Sequence, residues 1–449
     1  MYGKLIRKAY PLYMGARYQD SYWWKYYQEL KESQWWSADR IAILQLDRLK
    51  ALLRYAYLNV PYYTKKFREM GLEPDDIKTT DDLTKLPILT KKDVRENLPD
   101  LVARNFPQTK LIPYSTGGST GEPLQFYITE ETSNRGAGAA WRAYYWYGYE
   151  WGDKVAYLWG SQRDLSAQAN LSNKISHLIF RTAYLDAFDM SEKRMEEFAQ
   201  KLAKFKPKVI IAYASAAHLF AKYLKYRQIY TIKPRAVITQ AEKLLQEQRQ
   251  LIEEVFNCEV FDFYGSREVS TMAAECPQHK GYHVSAENVV LEFIKDNKPV
   301  PPGETGKILV TDLHNYAMPF IRYENGDLGV PSGEKCSCGR GLPLMHSIEG
   351  RLADILVFGD KMTTTLMIPH LFKDLPIKQY QLVQETEGEL TIKIVRTDKY
   401  TDEHTEQILK LMQTYVGSNI KLNLRFVSQI PPTKSGKYRF IISKVPVKF

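Results

Sequence analysis

Between Ser115 and Pro123 the chain reads STGGSTGEP. The glycines Gly117, Gly118 and Gly121 let a backbone approach a ligand closely and aim successive N–H groups at it. The hydroxyls of Ser115, Thr116, Ser119 and Thr120 add donors suited to phosphate oxygens. The segment lacks the Gly-Lys-Ser/Thr ending of a P-loop and does not open a helix. Alone, it reads equally as a phosphate loop or as a flexible hairpin turn. Three further segments carry polar chemistry. Tyr264-Gly265-Ser266-Arg267-Glu268 follows a buried-type strand, at the end where open α/β sheets place ligands; its tyrosine ring can stack on a base and its glutamate can hold Mg²⁺. Arg322-Tyr323-Glu324-Asn325-Gly326-Asp327 offers a carboxylate just past a turn, suited to a ribose diol. Pro432-Thr433-Lys434-Ser435-Gly436-Lys437 presents a lysine after a tight turn. In isolation each of these three is an ordinary turn or basic loop.

The four cysteines are Cys258, Cys276, Cys336 and Cys338. Cys276 lies in AECPQHKGYHV, with His279 and His283 downstream, and Cys336-Ser337-Cys338 follows between Gly/Lys-rich turns. Three thiolates and one imidazole make a closed tetrahedral zinc site, structural rather than catalytic. On spacing alone either His279 or His283 supplies the imidazole, and unrelated thiols are the competing explanation. Cys258, at a strand start, reads as core.

These residues need elements to position them. At 449 residues the chain suggests two or three domains, and its 44% hydrophobic content supports a sizeable core. Apolar spacing predicts a helix over 38–57, capped by Ser37 or Asp39. LIPYS (111–115) and LQFYIT (124–129) read as strands flanking the Gly/Ser/Thr loop, and 131–149 as a long aromatic helix. Strand 154–160 leads into an alternation: strand 208–213, helix 215–227, strand 234–239, helix 243–256 and strand 259–264. That alternation argues for βαβ units and a parallel sheet. Segments 289–294 and 306–313 read as a hairpin. Beyond GRLADIL (350–356) the pattern becomes a small α+β unit: a helix near 365–375, strands 379–386 and 389–396, helix 401–415 and strand 420–427. The expected fold is therefore α/β, a large N-terminal domain with parallel sheet units (1–352, with 1–36 an aromatic-rich helical extension) plus a small C-terminal α+β lid (353–449).

Tyr213-Ala214-Ser215 ends a strand and can line an acid pocket, although Ser215 as a helix N-cap is the simpler account. Trp141 and its neighbours can shape the same pocket or merely pack. The net charge of +10 (62 basic against 52 acidic) suits anionic ligands such as nucleotides and permits peripheral contact with anionic lipid. Aromatic residues crowd the N-terminus (Tyr22-Trp23-Trp24, Trp35-Trp36), where packing competes with a membrane-interface anchor. No apolar run reaches a membrane span, the N-terminus lacks a signal-type apolar core, and no nucleic-acid module is present, so a cytoplasmic protein is expected, monomeric or homodimeric.

In order along the chain, STGGSTGEP, Ala241-Glu242, YGSRE, RYENGD, GRLAD and TKSGK resemble the adenylate-forming superfamily of acyl-CoA ligases and related carboxylate-activating enzymes. The closer resemblance is to the phenylacetate–CoA ligase-like branch, with its capsule-biosynthesis proteins, and it runs from about residue 40 to the end. The resemblance implies that Ser115–Gly121 grips the β- and γ-phosphates of ATP. It implies that Ala241, Glu242, Tyr264 and Gly265 surround the adenine, and that Glu268 binds Mg²⁺. Asp327 and Arg351 would hold the ribose, and Lys437 would reach the carboxylate and the α-phosphate. A fixed cation there stabilises charge built up during attack on phosphorus. Some members of the branch carry zinc in this region, with the histidine placed as His283, which implies Cys276, His283, Cys336 and Cys338 as the ligands.

The implied reaction is carboxylate plus ATP giving an acyl-adenylate and pyrophosphate, then transfer to coenzyme A. An amine acceptor, in surface-polysaccharide assembly, is the alternative. A degenerate scaffold protein is the alternative of another class, opposed by the intact Lys437, Glu268 and loop. The sequence departs from the family at the hinge. An Asp or Lys is expected two positions after Arg351; here Ala353 stands there, with Asp354 next.

Overall fold

The structure, a computed structural model, describes residues 22–116, 124–159, 181–187, 190–349, 355–358, 361–364, 368–372, 375–417, 419–430 and 441–445. Among them, 22–116, 124–151 and 261–349 form one compact unit, and those within 152–260 and 355–445 form another.

The first unit is built on an antiparallel sheet. Its strands lie in the order Lys298–Pro299, Val289–Lys295, Gly306–Asp312, Tyr323–Pro331, Leu344–Ile348, Tyr282–Val284, Ser270–Glu275 and the Phe261–Ser266 part of Glu259–Ser266. The expected 289–294/306–313 hairpin is present, with Lys298–Pro299 as an additional strand in its turn. The helix Ala38–Asn59 forms where its apolar spacing places it, and Ser37 Oγ accepts the Arg40 N–H at 3.3 Å as its cap. Leu49, Leu52, Leu53 and Ala56 on one face of this helix pack into a core with Val290, Ile308, Phe320 and Tyr323.

The helix Tyr22–Ser33 packs two of the N-terminal aromatics into the core. Tyr26 and Tyr27 are buried, and Tyr26 lies in one core cluster with Leu30 and with Ala139 of the helix Glu130–Trp146. Beneath it, Arg142 and Glu287 form an ion pair at 2.7 Å, both 1% exposed, which Ser33 and Ser285 complete. Tyr26 and Tyr27 thus turn inward, whereas Trp24 and Trp36 are half-buried and Trp35 is 55% exposed.

The second unit carries the expected parallel layer. Strands Thr182–Asp186, Val155–Trp159, Val209–Tyr213 and Ala236–Gln240 are adjacent and parallel in that order. Helices Glu192–Phe205, Ala214–Tyr226 and Gln246–Phe256 belong to the same unit. The C-terminal segment adds a four-stranded sheet in the order Lys421–Phe426, Glu389–Arg396, Ile377–Thr386, Ile441–Ser443, with the helix Asp402–Val416 on its core. The protein is thus a mixed α/β fold, as the sequence implies. No helix among the described residues is long and apolar enough to cross a membrane.

Candidate functional site

The strands Ile112–Ser115 and Gln125–Ile128 pair antiparallel, with Ser115 opposite Gln125. They hold the neck of the Gly/Ser/Thr loop, whose Gly117, Gly118, Ser119, Thr120 and Gly121 lie outside the described residues. Thr116 closes that neck. Its N–H donates to Leu124 O at 3.0 Å and its Oγ1 accepts from Leu124 N–H at 2.9 Å. The Thr116 hydroxyl oxygen thus accepts at the neck, and its O–H proton is not used in that bond. Arg267 Nη1 donates to Ser115 O at 3.1 Å, tying YGSRE to the same neck.

YGSRE itself is not a strand followed by a loop. Tyr264, Gly265 and Ser266 continue the strand Glu259–Ser266, which turns back at once into the antiparallel strand Ser270–Glu275. Gly265 is required there, since a Cβ would lie 2.5 Å from Ser270 O. Asp327 likewise lies within the strand Tyr323–Pro331 rather than past a turn. The fold joins the two motifs: Tyr264 Oη donates to Asp327 Oδ2 at 3.1 Å and accepts from Asn325 Nδ2 at 2.8 Å. Asn325 Oδ1 in turn accepts the Asp327 N–H at 3.0 Å. Glu268 is buried and accepts from the Tyr323 hydroxyl at 2.9 Å. Tyr323 and Asn325 are positioning residues not singled out in the sequence. Their signal was inside RYENGD itself, whose Arg322 is structural, pairing with Glu292 at 2.9 Å.

In the second unit, Ala241 adopts a left-handed φ of 67°. Beside it, Glu242 Oε2 accepts the Ser215 N–H at 2.7 Å, at the start of the helix Ala214–Tyr226. Tyr213 is the N-cap and Ser215 the second helical residue, so Glu242, and not the Ser215 side chain, satisfies this helix end. Burial pushes the Glu242 carboxyl up to about 7, opposed by the Ser215 hydroxyl and backbone N–H. Tyr213 stacks on Trp159 with centroids 4.1 Å apart. Trp141 stacks on Trp151 at 3.4 Å and touches Tyr149, so packing accounts for it. Arg351, Ala353, Asp354 and Lys437 lie outside the described residues.

Cys276, His283, Cys336 and Cys338 converge in the first unit, with one donor atom from each within 4.8 Å of every other. Cys276 Sγ and Cys336 Sγ are 3.6 Å apart, and Cys338 Sγ and His283 Nε2 are 3.3 Å apart. The edges of a tetrahedral zinc site with this donor set are about 3.5–3.8 Å, so the donors fit a metal ion. Burial holds His283 down to about 4, hence neutral, the form that ligates, and pushes the Cys276 thiol up to about 12. Burial also raises Cys338, but the backbone N–H and guanidinium of Arg340 outweigh it and bring that thiol below its ordinary value. His279 lies apart from the group: its ring stacks on Phe261 at 4.9 Å and faces Glu275 at 3.6 Å. Cys258 is half-buried against the core of the second unit.

Residues 359–444 match the CapK C-terminal domain family. The chain is 26% identical over 411 residues to a phenylacetate–coenzyme A ligase of Pseudomonas putida, covering 87% of this chain and 91% of that one. It is 24% identical over 465 residues to the protein CapK of Staphylococcus aureus, covering 97% and 95%. A solved 2-hydroxyisobutyryl-CoA ligase, in complex with 2-HIB-AMP and CoA in its thioesterification state, has the same fold. Its TM-score is 0.65 at 21% identity, covering 92% of this chain and 91% of that one. With six motifs in order and similarity over nearly its whole length, the chain is similar to the phenylacetate–CoA ligases and to CapK, shares the fold of a solved acyl-CoA ligase, and matches the CapK C-terminal domain family over residues 359–444.

Proposed function

We propose that this protein activates a carboxylic acid with ATP, forming an acyl-adenylate and pyrophosphate, and passes the acyl group to coenzyme A. The observation that carries the proposal is the junction of YGSRE with RYENGD. Residues 63 apart in sequence meet as Tyr264 and Asp327, with Glu268 held by Tyr323 on the same pair of motifs. Asp327, with Arg351, is assigned to the ribose hydroxyls, and its geometry is set by Asn325 and Tyr264. Glu268 is assigned to Mg²⁺, which when bound offsets phosphate charge. Ser115–Gly121 are assigned to the β- and γ-phosphates, Ala241, Glu242, Tyr264 and Gly265 to the adenine, and Tyr213–Ser215 to the acid. Lys437 is assigned to the acid carboxylate and the α-phosphate, where a fixed cation lets two anions meet.

The decisive measurement is acid-dependent ATP–pyrophosphate exchange over a panel of carboxylic acids, with and without coenzyme A. Lys437→Ala is expected to abolish exchange while leaving thermal unfolding unchanged. Undiminished exchange in that variant would remove Lys437 from the mechanism. The similarity to CapK over 97% of the chain favours one second reading, transfer to an amine instead. Exchange with the right acid but no consumption of coenzyme A selects it. The metal centre is proposed as structural zinc on Cys276, His283, Cys336 and Cys338. Protein purified without chelator is expected to carry about one zinc per chain, and elemental analysis finding no metal would dismiss the site. The cytoplasm suits both ATP and unpaired thiols.

A further inference from the structure

In the second unit the four parallel strands are all entered from a basic residue: Arg181, Lys154, Lys208 and Arg235 precede Thr182, Val155, Val209 and Ala236. The four are neighbours, not merely analogous positions. Val155 N–H donates to Arg181 O at 3.1 Å, Lys208 N–H to Lys154 O at 2.7 Å, and Arg235 N–H to Lys208 O at 2.7 Å. At about 4.8 Å per strand, the row spans ~14 Å of sheet edge. The connections arriving at this edge add to it. Residues 201–208 (KLAKFKPK) and 222–235 (KYLKYRQIYTIKPR) contain lysines and arginines and no acid.

Some of this charge has local explanations. Lysines near helix C-termini, such as Lys204 and Lys225, complement the helix dipole. Asp153 pairs with Lys208, Glu196 with Arg227 and Glu254 with Lys225. Lys204, Lys206, Lys233 and Arg235 remain exposed and make no ion pair among the described residues. Tyr226 and Tyr230 stand beside them, 57% and 43% exposed. Exposed tyrosines set among unpaired cations suit a boundary where an apolar body meets water and anionic groups. The edge also lies opposite the strand ends that carry Tyr213 and Glu242, so a partner seated on it leaves those ends free.

We propose that this strand-entry edge docks the protein on an anionic lipid surface. Cations near such a surface each contribute about 1 kcal/mol, a roughly fivefold change in partitioning. The proposal stands independently of the enzymatic reading.

The test is co-sedimentation of the full chain with phosphatidylcholine vesicles, with and without one-quarter phosphatidylglycerol, at about 0.1 M salt where charges beyond ~10 Å are screened. Binding is expected only with the anionic lipid. The triple variant Lys206→Gln/Lys233→Gln/Arg235→Gln is expected to bind about a hundredfold more weakly, and single Lys233→Gln about fivefold, with thermal midpoint and pyrophosphate exchange unchanged. Tyr230→Ser is expected to remove binding that persists at high salt. Equal binding to neutral vesicles, or unchanged binding by the triple variant, would overturn the proposal. So would a preference of the wild type for single-stranded RNA over vesicles at equal anion concentration, which would make the partner a nucleic acid.

Discussion

The hydroxyl of Tyr264 lies between Asn325, which donates to it, and Asp327, which accepts from it. Removing it in Tyr264→Phe takes an acceptor from a buried amide and a donor from the carboxylate assigned to the ribose. The expected cost is about 1–3 kcal/mol of stability, together with a raised KM for ATP and a smaller change in kcat. Thermal unfolding and steady-state kinetics measure the two; an unchanged KM would mean that Asp327 is oriented by Asn325 alone. Glu242 gives a pH prediction. Its folded pKa, about 7, lies above its unfolded value, so the fold favours the protonated form. The resulting stability is fully present below about pH 4.3, the unfolded value, and is lost as pH rises towards 7. Glu242→Gln should flatten that fall, since the amide keeps an acceptor for Ser215 N–H without ionising. Denaturant melts across this range would show an undiminished slope if Glu242 were not responsible.

At the scale of elements, the loop that carries the proposed metal ligands and the N-terminal helix are one construction. Arg340, two residues after Cys338, donates to Gln34 Oε1 at 3.0 Å and lies over the rings of Trp35 and Trp146. Trp146 donates to the same Gln34 oxygen at 2.7 Å and meets the His283 ring edge-on. Gly341 N–H donates to Gln34 O, and a Cβ at Gly341 would lie 1.9 Å from Trp36 O. If the proposed zinc is bound there, chelating it should loosen the chain near 34–38, seen as faster proteolysis there and altered tryptophan emission, before the sheet unfolds. Gly341→Ala should reproduce this at a cost of about 1–3 kcal/mol. Coincidence of loosening with global unfolding would deny the link. Arg142→Ala, which strands Glu287 in the same region, should cost about 3–5 kcal/mol. The three thiols were legible in sequence because they carry their chemistry in their type, but the choice of His283 over His279 came from the resemblance, and the convergence of the four donors from the fold. Arg340, Gln34 and Trp146 were not, since nothing in local spacing announces contacts made 112 or 306 residues away. The same limit applies to elements. Ala38–Asn59 and the βαβ alternation follow from apolar periodicity. Ser270–Glu275 (STMAAE) has no alternation to read, and its burial on both sides is set by neighbours in the sheet. The helix Glu192–Phe205 does carry helical spacing in Met195, Phe198, Ala199 and Leu202, but is absent from the expected elements.

For the whole molecule, the proposed chemistry makes one demand the motifs alone do not meet. Adenylation and acyl transfer are different reactions, and a single set of residues serving both requires the C-terminal domain to present different groups in turn. The family it resembles places an acidic or basic residue at the pivot for that change, where this chain has Ala353 followed by Asp354. If the pivot has moved by one residue, restricting φ at 354 will separate the two steps. Proline fixes φ near −65° and restricts the preceding residue as well. Asp354→Pro should therefore leave acid-dependent pyrophosphate exchange near its wild-type rate while reducing thioester formation by at least about tenfold, whereas Ala353→Asp should leave both intact. If Asp354→Pro lowers exchange and transfer equally, the residue supports the fold rather than the motion. If it lowers neither, the pivot lies elsewhere, and an acceptor that needs no rearrangement, such as an amine arriving at a preformed adenylate, becomes the better account of the second step.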